Sequence, residues 1–116
     1  MKLYRVKTKD KTIGMKVKIA NNAIDRLMGL MFTKTLPGCD GLLIEPCNSI
    51  HTFFMRYPID VLFLDRNKKI VKIVRNIKPW RMTWMYWKAT SVLELAGNSL
   101  SPEIKEGEQL ILEEYV

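Results

Sequence analysis

Hydrophobic and polar positions alternate along two early stretches of the chain, "LYRVKTK" and "GMKVKIA", with β-branched residues at several apolar sites. Period-two alternation is the mark of half-buried strands, and "DKTIG" between them supplies a turn, so residues 3–20 read as a β-hairpin. The period then changes. In "NNAIDRLMGLMF" the apolar residues Ala23, Ile24, Leu27, Leu30 and Met31 recur near helical spacing, Asn21 or Asn22 is placed to cap, and Gly29 lies near the end.

Strand signals return after the loop "TLPGCDG". "LLIE" is closed by Pro46, "SIHTFF" reads as a further strand, and Pro58 keeps Tyr57 out of a helical conformation. "IDVLFLD" and "KIVKIVR", joined by "RNK", form the plainest hairpin signal in the chain. "TSVLEL" and "EQLILEE" complete the strand set, separated by "NSLSPEIKEG", whose Ser-Pro-Glu run predicts a short helical turn beginning at Ser101. The expected fold is mainly β (α+β): a compact antiparallel β-barrel or sandwich-like single domain, residues 1–116, with one helix in its N-terminal half and that C-terminal helical turn. Strands follow one another too closely for βαβ units, and no Gly-rich phosphate motif occurs, so Rossmann and P-loop folds are excluded.

Charge adds an asymmetry. Nineteen Lys and Arg against twelve Asp and Glu give a net charge of +7 over 116 residues. Arg66, Lys68, Lys69, Lys72, Arg75, Lys78, Arg81 and Lys88 lie in a stretch without a single acid, whereas Glu103, Glu106, Glu108, Glu113 and Glu114 load the C-terminal part. Such a balance leans towards anionic partners, and the two poles are placed to face each other in the fold. No apolar run reaches the roughly 20 residues a membrane span needs. The basic start lacks an apolar signal core, so a cytoplasmic protein is expected, a monomer or small homo-oligomer without membrane contact.

Candidate chemistry centres on "SIHTFFMRYPIDVLFLD". His51, the chain's only histidine, is the residue type that titrates nearest neutrality, so it is the natural proton carrier or, alternatively, a packed structural residue. Asp60 sits between Ile59 and Val61, where an unpaired charge is costly, and so requires a partner; Arg56, Arg26 and His51 are the candidates. Cys47 and His51 stand four residues apart, about 13 Å along an extended strand at roughly 3.3 Å per residue, too far for a nucleophile pair. Cys39 and Cys47 match neither a redox nor a zinc spacing and read as small, reduced, buried side chains, a bridge between them being an option in a hyperthermophile. No metal and no cofactor is expected.

"KPWRMTWMYWKAT" gathers all three tryptophans. Trp80, Trp84 and Trp87 stand at i, i+4 and i+7, so a short helix begun after Pro79 would present them as one stripe, either as core or as a stacking and cation-π surface. Lys69, Lys72, Arg75, Lys78 and Arg81 recur every third residue, but on an extended strand they would alternate between faces.

"RLMGLMF", "GLLIEP", "IHTFFMRYPIDVLFLDRNKKIV" and "VLELAGN…IKEGEQL" together resemble, in order and spacing, a widespread prokaryotic family known as domain of unknown function 192. The resemblance runs from about Ala23 to Leu112. The family pattern falls on Arg26, Gly29, Leu30 and Met31, on Gly41, on Phe54, Met55, Pro58, Asp60, Phe63, Leu64 and Asp65, and on Leu93, Glu94, Gly97 and Gly107. Many relatives resemble "FWMKNT" where this chain has "FFMRYP". The resemblance implies a small β-rich fold and no inherited catalytic residue.

Three functions follow as expectations. The first is a module that binds a small molecule or peptide in a cleft near His51, Arg56 and Asp60, bordered by Trp80, Trp84 and Arg26. The second is a small enzyme with His51 as general base oriented by Asp60. The third is a nucleic-acid-associated protein using the basic, Trp-rich region 66–88.

Overall fold

Alternation becomes a hairpin, and long apolar runs become the buried centre of a sheet. The computed structural model of the protein describes residues 3–20, 39–53 and 55–114. Seven strands are present: β1 (Tyr4–Lys7), β2 (Thr12–Ala20), β3 (Gly41–Ile44), β4 (Ile59–Leu64), β5 (Ile70–Ile77), β6 (Ser91–Ala96) and β7 (Ile111–Glu114). They hydrogen-bond into one sheet in the order β5-β4-β6-β3-β2-β1-β7.

The expected antiparallel barrel or sandwich is refined in one pairing and corrected in its closure. β2 and β3 run parallel, Val17 opposite Gly41 and Ala20 opposite Ile44, while the other pairs are antiparallel. A parallel pair needs a crossover of about a dozen residues or more, and residues 21–40 provide the length. The sheet is also not closed: β5 and β7 are its end strands, with no ladder between them among the described residues. Their lead-in segments touch at the single bridge Lys69–Gln109, flanked by Ile70 N–H to Glu108 O and Leu110 N–H to Lys68 O, both 2.9 Å. Gly107, at φ +93°, turns the chain just before this seam.

The structure also revises the helices and one strand. No helix occurs among the described residues, and none there is long and apolar enough to cross a membrane. The helix expected around Ala23 to Met31 lies outside the described residues. The expected helical turn at Ser101 is a hydrogen-bonded turn, with Ile104 N–H to Ser101 O at 3.2 Å. The described residues of "SIHTFF" form no strand, only an isolated bridge between His51 and Met82.

Both faces of the sheet are covered. On β6, Val92 joins a cluster with Leu42, Ile50, Met55, Val61 and Phe63, while Leu93 and Leu95 join Val6, Val17, Leu43, Leu62 and Leu110 on the other face. β4 is buried at every position, which is why it reads as a continuous apolar run. Among the described residues the two charge poles meet at one ion pair, Lys72 with Glu106 at 3.9 Å, and two other C-terminal acids pair with the first hairpin, Glu113 with Lys7 at 3.5 Å and Glu103 with Lys11 at 3.0 Å.

Candidate functional site

The tryptophan segment is an irregular ribbon laid antiparallel beside residues 48–52. Trp80 N–H donates to Thr52 O at 2.9 Å, Thr52 N–H to Arg81 O at 2.8 Å, Thr83 N–H to Ile50 O at 2.9 Å and Tyr86 N–H to Asn48 O at 2.9 Å. These cross-chain bonds replace the intrachain bonds a helix would use, and Trp80 adopts φ +64°, which no right-handed helix admits. The expected helical stripe of Trp80, Trp84 and Trp87 is thus absent.

Thr52 fastens the ribbon to the body. Fully buried, its Oγ1 donates to Lys78 O at 2.7 Å and accepts the Arg81 N–H at 2.8 Å. Thr83 Oγ1 accepts the Ile50 N–H at 3.0 Å. Beneath the ribbon, the Tyr86 ring rests on Phe63 with centroids 4.5 Å apart. Apolar residues elsewhere on the segment turn outward: Trp80 is 57% exposed, Met82 71%, Trp84 79% and Trp87 80%.

A row of rings leads into this surface. His51 stacks on Phe53 at 4.9 Å, and Phe53 on Trp80 at 6.0 Å, each pair inclined by 27°. Trp84 and Trp87 touch no other ring among the described residues.

Charge on the same face is open to solvent, the Arg81 guanidinium donating to Trp80 O at 3.4 Å. Of the upstream cations, Lys68 pairs with Glu45 at 2.7 Å, Lys72 with Glu106, and the Arg75 guanidinium donates to the carbonyls of Leu100, Ser101 and Ile104. Arg56, Lys78, Arg81 and Lys88 are all exposed, and none meets a carboxylate among the described residues.

Asp60 belongs to a different environment from His51. It is 1% exposed, its Oδ1 accepting the Asn76 N–H at 2.8 Å and its Oδ2 the Leu100 N–H at 3.0 Å. Both oxygens therefore hold main chain, and no hydrogen bond or ion pair joins Asp60 to His51 or Arg56 among the described residues. Arg26 lies outside the described residues.

Glu94 entered the sequence reading only through the family pattern. On β6, between Leu42 of β3 and Val61 of β4, it is 4% exposed, its Oε2 has no hydrogen-bond partner among the described residues, and burial pushes its carboxyl up to about 8. Its signal was an acid inside the apolar run "VLEL", the same signal that singled out Asp60. Cys39 and Cys47 are half-buried thiols outside any disulfide. Burial raises the Cys39 thiol above its ordinary range and keeps it a poor nucleophile. The Cys47 Sγ donates to Ser49 O at 3.0 Å beside an open cleft of about 320 Å³ lined by Pro46, Cys47, Asn48, Ala89 and Thr90.

Fold and face together define a small β protein built on one mixed sheet, bearing an exposed ribbon of indoles and unpaired cations. The chain belongs to the domain of unknown function 192 family, described as an uncharacterized ACR, whose model matches residues 4–112 and so includes the first hairpin. Curated relatives are UPF0127 proteins of archaea. That of Pyrococcus furiosus is 42% identical over 79 residues, 64% of this chain and 66% of the relative, so the match spans slightly under two thirds of it. That of Thermococcus kodakarensis is 32% identical over 107 residues, 87% of this chain and 67% of the relative. Among solved structures, a protein of unknown function from Novosphingobium aromaticivorans shares the fold at a TM-score of 0.77 and 18% identity, covering 94% of this chain and 83% of that one. A Sinorhizobium meliloti structure does so at 0.80 and 21%, covering 96% and 92%.

Proposed function

We propose that this protein is a recognition module, not a catalyst, and that it takes its partner on the face formed by residues 48–53 and 78–88. The observation that carries this reading is the exposure of three tryptophans, 57% to 80%, on one short ribbon that the body holds in place. Monomeric proteins seldom leave large apolar side chains together in water unless something covers them. Trp and Arg are also the side chains that most often dominate binding energy.

Of the residues expected to line a cleft, His51, Arg56, Trp80 and Trp84 are exposed, and His51 and Trp80 share the ring row. Asp60 serves the framework instead. An enzyme with His51 as base loses support for the same reason, since its orienting carboxylate is occupied by two main-chain N–H groups. The partner is therefore one that lies along an open face.

Tryptophan emission of the pure protein, titrated at low salt with a single-stranded oligonucleotide, a poly-glutamate peptide and phosphatidylglycerol vesicles, tests the reading. At least one probe is expected to shift the emission, and Trp84→Ala with Trp87→Ala to remove the response. No shift with any of the three would overturn it.

A further inference from the structure

We infer that the partner of this face is single-stranded nucleic acid, bound by stacking of unpaired bases on the indoles with phosphates on the interleaved cations; this rests on the binding-face reading above. Three observations converge on that class. First, Trp84 and Trp87 stand 79% and 80% exposed with no ring against them among the described residues, which leaves them available to bases. Base–aromatic stacking is indifferent to sequence and requires bases not already paired in a duplex.

Second, the stacked row His51–Phe53–Trp80, with centroids 4.9 and 6.0 Å apart, adjoins the ribbon through Trp80, so aromatic rings extend beyond the ribbon itself. Third, the cations are of the right kind and in the right place. Lys78 and Arg81 flank Trp80, Lys88 follows Trp87, and Arg56 lies near Phe53 in sequence. Lys68 and Lys72 of the acid-free stretch pair with Glu45 and Glu106, whereas Lys78, Arg81 and Lys88, beside the indoles, meet no carboxylate among the described residues.

An oligothymidylate of about 12 nucleotides, within the usual site sizes of single-strand binders, is titrated into the wild-type protein at several salt concentrations while tryptophan emission is followed. Quenching is expected. Log K should fall with log salt at a slope of about −2 to −3, the value for three or four phosphates at about −0.7 each. Lys88→Gln should reduce the slope by about 0.7, and Trp84→Ala should weaken binding about tenfold or more with an unchanged far-ultraviolet spectrum.

Equal affinity for a blunt duplex of the same length, or absence of quenching at low salt, would overturn the assignment. If poly-glutamate or the anionic vesicles then give a response that Trp84→Ala removes, the nucleic-acid inference falls and the binding face stands. If no probe responds, both fall.

Discussion

Asp60 Oδ1 accepts the main-chain N–H of Asn76 at 2.8 Å, at the point where β5 holds a residue in the left-handed region, φ +53°. Its other oxygen holds the N–H of Leu100, which is itself 5% exposed. One carboxylate thus ties β4 to the end of β5 and to the turn after β6. Removing it leaves two N–H groups without acceptors, that of Leu100 in a place water reaches poorly. Asp60→Ala is expected to cost about 1–3 kcal/mol, the penalty for the stranded Leu100 N–H, read as a lower urea midpoint at constant slope. A variant as stable as the parent would end the framework assignment.

Glu94 makes stability depend on pH in a defined direction. Burial raises its carboxyl to about 8 from an ordinary 4.5. Between those values the folded chain holds a proton that the unfolded chain has released, so stability is full below about pH 4.5 and declines as pH rises towards 8. The slope approaches at most about 1.4 kcal/mol per pH unit. Glu94→Gln should flatten the decline in urea midpoints between acid and alkaline buffer. If parent and variant lose stability equally over that window, another group is responsible.

Thr52 connects the body to the ribbon. Thr52→Val keeps the volume and removes the hydroxyl that accepts the Arg81 N–H at 2.8 Å and donates to Lys78 O at 2.7 Å. The expected loss is about 1–3 kcal/mol, with faster amide exchange at Arg81 and unchanged protection across β4 and β6. Uniform exchange changes over the whole sheet would mean that Thr52 is merely a core residue.

The outward tryptophans should be almost irrelevant to folding. Trp84→Ala and Trp87→Ala are expected to alter stability by no more than about 0.5 kcal/mol, whereas Phe63→Ala, at a fully buried site, should cost about 3–5 kcal/mol. Thermal midpoints compare the three. A large loss at Trp84 would show that the indole packs against the body in solution.

Much of the sheet was legible because its strands carry their own period. The alternation in "LYRVKTK" and "GMKVKIA" and the run "IDVLFLD" were sufficient for β1, β2 and β4. The parallel pairing of β2 with β3 had no such signature, since register between distant strands is decided by what packs across them. The tryptophans misled for a related reason. Their i, i+4, i+7 spacing fits a helix, but Thr52 and Ile50 offer the segment hydrogen-bond partners from outside, and the left-handed Trp80 after Pro79 ends any helical start. Their grouping with Arg81 and Lys88 was readable; their exposure was not. Asp60 was noticed because an acid in an apolar strand demands an explanation, and its answer, two main-chain N–H groups far along the chain, could not be read from its neighbours.

β1 and β7 pair from Tyr4 opposite Glu114 to Lys7 opposite Ile111, so the strand made first is flanked by the strand made last among these seven. While the intervening residues are being synthesised, one margin of β1 has no mate and is a template for any other extended chain. Arg5 and Lys7 on that strand are the kind of charges that discourage such improper pairing. In the finished molecule the same two side chains reach Glu113, at 3.7 and 3.5 Å. The nascent chain thus carries on β1 a guard against aggregation that becomes a clasp once β7 arrives.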